Sequence, residues 1–349
     1  MWLTSSSIGR KFIMALTGAC LVLFVTFHVV MNSVCILWPA AYNAVCMFLG
    51  ANWYALIASA GLAALFIIHI IYAVWLTVQN RKARGADRYE VTARQPQVEW
   101  ASKNMLVLGI VILAFLVVHM IQFWAKMQLQ ELLGTTAEVD GVSAAPEFGT
   151  LFIQAAFSNI WVPIVYIIGF IALWFHMNHG FWSMFHTVGW DSNVWIERLK
   201  KIGCWWTTIV VALFIIEAVV FTVQANNKAY LTDINLQEQY ADYWVEKSEE
   251  GNAKLNEVGG ELMKQLQAGT IDDAQAQQKF EGAIREFKSE LDVIMKAVDA
   301  QCPDVNSQAL QQLRQMYNQI KMQYPDEVTS ATDAAPAAVE FAEEEVELN

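Results

Sequence analysis

The chain has 349 residues, of which 56% are hydrophobic and 16% are charged, and its mean hydropathy is +0.33. Soluble domains are about 45–50% apolar and about 25% charged, so these values exclude an ordinary soluble protein. The formal net charge of −12 comes from residues 226–349, which hold 24 Asp and Glu against 10 Lys and Arg. This acidity excludes nucleic acid as a partner of that segment.

Five apolar segments in the first 225 residues are long enough to cross a membrane, which needs about 20 mostly apolar residues in a helix. They are residues 12–37, 53–78, 104–125, 159–185 and 203–224. The first is too long for the apolar region of a signal peptide, about 7–15 residues, so we interpret it as an anchor. The sequence therefore predicts an all-α protein with a five-helix membrane domain over residues 1–225.

The cationic residues of the short connections lie on one side of these spans. That side has eleven of them: Arg10, Lys11, Arg81, Lys82, Arg84, Arg88, Arg94, Lys103, Arg198, Lys200 and Lys201. The other side has Lys126 alone. Cytoplasmic loops carry an excess of Lys and Arg, which predicts a cytoplasmic N-terminus. Five spans then place the C-terminal extension on the outer side.

All six histidines lie in or beside apolar segments: His28, His69, His119, His176, His179 and His186. With a rise of about 1.5 Å per residue, His28 and His119 lie about 16 and 10 Å from the outer end of their spans. His69 and His176 both lie about 26 Å from that end. The four residues thus form an outer pair and an inner pair, and each pair joins two different helices.

Two imidazoles at one depth on facing helices are typical of the axial ligands of a haem. Zinc and di-iron sites recruit carboxylates or thiolates, and the first four spans have no Asp or Glu in their interiors. We therefore predict two haem b groups, bound by the pairs His28/His119 and His69/His176. A single intramembrane histidine would be explained equally well by hydrogen bonding between helices.

Three further polar residues leave alternatives open. His179 follows His176 by three residues and competes with it as the inner ligand, and His186 is closer to the interface, where contact with a haem propionate or with water is expected. Glu217 is the one carboxylate well inside a span, either a proton relay or hydrogen-bonded packing.

The extension after the fifth span has apolar residues at helical spacing, with breaks at Gly269-Thr270 and at Pro303. It predicts a soluble, acidic, mainly helical segment of three helices over residues 226–325, with Thr270 as the N-cap of the second helix. Residues 326–349 have low hydrophobicity and are predicted to be disordered. No catalytic constellation occurs in the extension.

Residues 5–224 resemble the cytochrome b membrane-anchor subunit of succinate:quinone oxidoreductases, the succinate dehydrogenase and fumarate reductase complexes, in its single-chain, five-helix, two-haem form. The resemblance is carried by residues 7–11 (SIGRK), 23–28 (LFVTFH), 67–69 (IIH) with 81–89, 116–119 (LVVH), and 176–182 (HMNHGFW) continuing to Gly189-Trp190. In that family the fourth ligand is a histidine four residues before a glycine. The resemblance therefore supports His176, with Gly180, over His179.

The resemblance implies further properties. The chain would contain no dehydrogenase site of its own, would anchor a flavoprotein subunit and an iron–sulfur subunit on its cytoplasmic face, and would pass electrons between the iron–sulfur clusters, the two haems and menaquinone. Lipid and quinone are the other implied partners, and a homo-oligomeric complex is compatible with this reading. Some members carry a glutamate two residues before the fourth ligand, but Trp174 stands there, so a proton path through that position is not supported.

Two other functions fit the sequence less well. A haem b subunit of another respiratory dehydrogenase, such as a hydrogenase or formate dehydrogenase, has a different order and spacing of ligands. A transporter or haem-free scaffold, whose histidines bind protons or ions, would be expected to have internal repeats and more intramembrane carboxylates.

Overall fold

The computed structural model describes residues 6–50, 52–84, 100–190 and 192–325. Its elements in chain order are α1 (Ser7–Leu37), α2 (Pro39–Gly50), α3 (Trp53–Arg84), α4 (Trp100–His119), a π-helical turn (Met120–Trp124), α5 (Gln128–Leu133), β1 (Ala137–Val139), β2 (Val142–Ala144), α6 (Gly149–Phe157), α7 (Trp161–Thr187), α8 (Asn193–Asn226), α9 (Ala229–Thr232), α10 (Ile234–Gln267), α11 (Asp273–Gln301) and α12 (Gln308–Gln323). The predicted all-α class is confirmed.

Five helices in the described ranges are long and apolar enough to cross a membrane, namely α1, α3, α4 with its π-helical turn, α7 and α8. The chain is therefore consistent with a multi-pass membrane protein, as predicted. Helices α1, α3 and α8 extend beyond the apolar segments that the sequence indicates, and α1 and α8 begin after serine N-caps, Ser6 and Ser192. The Ser6 hydroxyl, for example, accepts a hydrogen bond from the Gly9 N–H at 2.9 Å and starts α1.

The spans form a bundle in which α1, α3, α4 and α7 surround a common centre. Going round it, α1 contacts α3, α3 contacts α4, α4 contacts α7, and α7 contacts α1. The fifth span, α8, packs outside this ring against α7 and α1. Helices α1 and α4 are thus diagonal to each other, as are α3 and α7, and the space at the bundle centre is filled by side chains from diagonal helices.

The segment between the first two spans differs from expectation. We predicted a loop over residues 38–52, and the structure has the helix α2 there. Pro39 is its first residue, a position where proline is favoured because its missing N–H would have no helical partner anyway. The same end of the bundle carries α5, the β1–β2 hairpin, α6 and the extension, and we call it the extension end. We call the opposite end, with residues 84 and 100 and the α7–α8 connection, the loop end.

The extension contains three long helices, α10, α11 and α12, but the N-cap of the second was predicted wrongly. Thr270 follows Gly269, whose φ of 65° ends α10, and the Thr270 hydroxyl donates back to the Gln265 carbonyl at 2.9 Å. Asp272 is the N-cap instead, in a capping box with Gln275. The predicted disordered segment 326–349 and the cations Arg88 and Arg94 lie outside the described residues.

Buried polar contacts join the extension to the bundle. The Asn43 side-chain oxygen on α2 accepts hydrogen bonds from the Thr150 N–H at 3.2 Å and hydroxyl at 2.8 Å, and the Thr150 and Tyr240 hydroxyls are 2.8 Å apart. The Asn43 amide donates to Gln239 at 3.2 Å. Because Asn43, Thr150 and Tyr240 are fully buried, each would lose a hydrogen-bond partner if the extension moved away. The extension is therefore part of one packed unit with the connections at the extension end.

Glu131 makes the contact between α5 and α2 sensitive to pH. Gly50 leaves room for its carboxylate, and burial raises the pKa of Glu131 to about 7, with a smaller contribution from the Glu147 carboxylate. A raised pKa means that the folded state favours the protonated form, so stability present at low pH is lost as pH rises from about 4.5 to about 7.

We expect the thermal unfolding midpoint of the detergent-purified chain to fall between pH 5 and pH 8, and Glu131→Gln to reduce that fall. The exposed carboxylate Glu138 provides the matched control, since Glu138→Gln should leave the pH dependence of the wild type intact. An equal pH dependence in Glu131→Gln and wild type would show that Glu131 does not cause it.

Candidate functional site

Two pairs of histidine rings face each other across the diagonals of the bundle. His28 on α1 and His119 on α4 have ring centroids 5.8 Å apart, with an angle of 85° between the ring planes. His69 on α3 and His176 on α7 have centroids 6.3 Å apart, with an angle of 64°. The structure therefore brings together the residues that the depth calculation pairs. Their role as ligands stays a prediction.

The two pairs lie at different depths, and two helices give the same separation. On α1, Thr17 contacts His69, and His28 follows eleven residues later, a rise of about 16 Å. On α4, Gly109 lies against His176, and His119 follows ten residues later, a rise of about 15 Å. The His28/His119 pair is nearer the extension end, and the His69/His176 pair is nearer the loop end.

Hydroxyl groups determine which ring nitrogen of His69 and His119 carries the proton. The Thr17 hydroxyl donates to the backbone carbonyl of Ile13 or Met14, so it accepts from Nδ1–H of His69, 3.1 Å away. The Tyr166 hydroxyl donates to the Gln122 side-chain oxygen at 2.8 Å, so it accepts from Nδ1–H of His119 at 3.3 Å. In both rings Nε2 then carries the lone pair. A metal-binding histidine has the same arrangement, in which one ring nitrogen binds the metal and the other donates to a neighbouring oxygen.

The other member of each pair also has a nitrogen open to a metal. The Asn32 amide, a donor, lies 3.4 Å from Nε2 of His28, so this Nε2 is the unprotonated nitrogen, and a metal would take the lone pair in place of the amide. His176 has a buried Nδ1 without a hydrogen-bond partner among the described residues. A buried ring nitrogen without a hydrogen-bond partner is destabilising unless a bound group engages the ring.

The donor set fits haem better than a metal ion bound by protein alone. Two imidazoles bound on opposite sides of one metal, at about 2 Å from each nitrogen, have centroids roughly 6 Å apart, close to both observed values. In the part of the chain that the structure describes, no group of three or more His, Cys, Asp or Glu side chains is arranged to hold a metal. Each pair offers two imidazoles, and a haem would need only those two ligands from the protein.

Aromatic side chains surround the His28/His119 pair. Phe24 stacks on the His28 ring at 5.5 Å, and Phe214 of α8 lies 6.1 Å from it. Phe115 and Phe123 lie 6.0 and 5.3 Å from the His119 ring. These rings give the histidine pair an apolar lining, to which α8 contributes through Phe214 although it has no histidine.

The remaining candidates lie outside the two pairs. His179 points to Trp182, with the two rings 4.9 Å apart, and His186 is in the last turn of α7. Glu217 is 3% exposed and accepts a hydrogen bond from the Ser33 hydroxyl at 2.8 Å, which agrees with the packing alternative. The Trp174 indole donates to the Thr208 hydroxyl at 3.0 Å.

Sequence reasoning missed Thr17 and Tyr166. Thr17 precedes His28 by eleven residues and Tyr166 precedes His176 by ten, but each contacts a histidine of the other pair, on another helix. No spacing rule reveals such contacts. The available signal was that a hydroxyl inside an apolar span needs a partner, which makes each polar residue of a span a candidate neighbour of a site.

Comparison of the chain with protein-family models, with curated proteins and with solved structures finds no match in any of the three.

Proposed function

We propose that this chain is a dihaem cytochrome b that carries electrons across the membrane domain. The proposal is carried by the two opposed histidine pairs, each with about the ring separation of two axial ligands and with unprotonated Nε2 atoms in at least three of the four rings. His28 and His119 would hold one haem b, and His69 and His176 the other. Haem iron changes by one electron between its ferric and ferrous forms, which suits electron transfer.

The protein residues would have two tasks. Thr17 and Tyr166 contact Nδ1 of His69 and His119, which would fix the tautomer and the orientation of each ring and leave Nε2 for a metal. The phenylalanines around the His28/His119 pair exclude water and favour a low-dielectric environment, one of the factors that set a haem potential. The two ring pairs lie about 15 Å apart along the bundle, and haems held by them would supply two one-electron centres within one membrane domain.

The resemblance described above supports a more specific proposal, the membrane-anchor subunit of a succinate:quinone oxidoreductase in a bacterial inner membrane. Except for Lys126, the described cations of the connections lie at the loop end, which suits a cytoplasmic orientation and a docking surface for a flavoprotein and an iron–sulfur subunit. Menaquinone would exchange electrons at the extension end, near the His28/His119 pair. One quinol releases two electrons, the number that two such centres hold.

Mixing the purified chain with a soluble menaquinol analogue tests the link to quinone. We expect the haem absorption to change to the reduced form, and His28→Ala, which removes a ligand at the extension end, to slow that change at least tenfold. His179→Ala is the matched control and should behave as the wild type. Haem that dithionite reduces but the quinol does not, in both the purified chain and native membranes, would contradict the quinone role and leave the haem assignment standing.

A tag on this chain tests the partners. Purification from native membranes in mild detergent should recover a flavin-containing subunit and an iron–sulfur subunit in equal amounts with the chain. Recovery of a different redox enzyme would contradict the succinate:quinone oxidoreductase proposal.

A further inference from the structure

Arg10 lies on α1 near the loop end, and its side chain is partly buried. Its Nε is buried and has no hydrogen-bond partner among the described residues, whereas the next residue, Lys11, is exposed. A buried cationic donor without a hydrogen-bond partner is destabilising. The side chain therefore has a donor that no other described residue engages.

The neighbours of Arg10 hold it in place without neutralising it. The guanidinium lies 5.1 Å from the centre of the Trp75 ring, a cation–π contact. With its amide oxygen facing these donors, Gln79 accepts from Arg10 Nη1 at 2.8 Å and from the Trp75 indole at 2.9 Å. No carboxylate in the described ranges forms an ion pair with Arg10. Within the part of the chain that the structure describes, the charge is oriented but has no carboxylate partner.

The position of this charge relates it to the His69/His176 pair. Arg10 precedes Thr17, the neighbour of His69, by seven residues on α1, a rise of about 10 Å. Trp75 follows His69 by six residues on α3, a rise of about 9 Å in the same direction. The guanidinium thus lies on the loop-end side of the ring pair, about as far away as the edge of a macrocycle and its acidic side groups would reach.

We propose that Arg10 binds a propionate carboxylate of the haem held by His69 and His176. This inference rests on the proposed function. The guanidinium presents a planar set of N–H donors that matches the two oxygens of a carboxylate. Gln79 engages Nη1, which leaves Nε to donate to the carboxylate. A positive charge near the haem favours the reduced iron, which carries one positive charge less, and so raises its potential.

Equilibrium redox titration of the detergent-purified full chain tests this assignment, with Arg10→Gln, Arg10→Lys and the matched control Lys11→Gln. The wild type should show two haem waves. Arg10→Gln should move one wave to lower potential and leave the other in place, Arg10→Lys should move the same wave less, and Lys11→Gln should move neither.

A second ligand variant identifies the affected centre. Combined with His28→Ala, which leaves the His69/His176 haem, Arg10→Gln should still shift the remaining wave. Combined with His69→Ala, it should shift nothing. A shift in the second combination and not in the first would overturn the assignment.

The outcomes separate this inference from the proposed function. A folded wild-type chain without two waves would contradict both. Two waves that are the same in Arg10→Gln, Arg10→Lys and Lys11→Gln would overturn the Arg10 assignment alone. Unchanged waves with less co-purified phospholipid phosphorus in Arg10→Gln than in Lys11→Gln would overturn it too, by assigning the guanidinium to a lipid headgroup.

Discussion

Replacing His28 or His119 by alanine halves the haem content of the purified chain, because the haem of that pair is lost. Replacing His69 or His176 by alanine also halves the haem content, by loss of the other haem. We expect this because each of these histidines faces one other histidine, with ring centroids 5.8 or 6.3 Å apart, so every substitution removes a proposed ligand from a single centre. The other centre keeps both histidines and the hydroxyl group that contacts one of them. Haem-to-protein ratio by pyridine haemochrome assay, with visible and EPR spectra, measures the loss.

The paired design makes this prediction specific. His28→Ala and His119→Ala should leave the same residual spectrum, and His69→Ala and His176→Ala should leave the other one. His179→Ala should retain both haems, since its ring packs on Trp182. Loss of a haem in His179→Ala with retention in His176→Ala would show that the inner ligand was assigned to the wrong histidine.

Truncation of Trp244 should have the largest effect on the extension. The side chain is buried, and its indole donates to the Gln301 side-chain oxygen at 3.0 Å, while the Gln301 amide donates to the Ser143 carbonyl of the hairpin at 2.7 Å. Trp244→Ala would leave a cavity and would leave the Gln301 side-chain oxygen without its donor. Loss of a large buried aromatic side chain costs about 3–5 kcal/mol of the free energy of unfolding. We expect the extension to unfold at lower temperature than in the wild type.

Limited proteolysis of the full chain over a temperature series measures this effect. Trp244→Ala should be cut within residues 234–323 at temperatures at which the wild type resists. Met322→Ala is the matched control, because Met322 is 82% exposed and contributes little burial, and it should resist like the wild type. Equal resistance of Trp244→Ala and the wild type would contradict the role of Trp244 as the centre of the extension.

Much of the fold could be predicted because the bilayer imposes its own length scale. About 20 apolar residues must form each span, and a constant rise per residue then converts sequence position into depth. That conversion pairs His28 with His119 and His69 with His176 without any knowledge of which helices are neighbours. The structure adds that these pairs cross the two diagonals of the bundle.

The details that failed depend on contacts through space. The sequence predicts a loop where the structure has the helix over residues 39–50, because a proline in a short segment between spans is typical of a turn. The contacts that stabilise this helix, such as Asn43 with Thr150, join residues more than one hundred positions apart. Thr17 and Tyr166 were missed for the same reason. The capping residue before α11 was misplaced because Thr270 completes the end of the preceding helix instead.

The most direct test of the central claim is the haem content of the wild-type chain. Purified in detergent, it should show a b-type dithionite-reduced minus oxidised spectrum, with two haems per chain and a bis-histidine EPR signal from each. One haem per chain would contradict the two-centre arrangement, and well-folded protein with no haem would contradict the electron-transfer function itself.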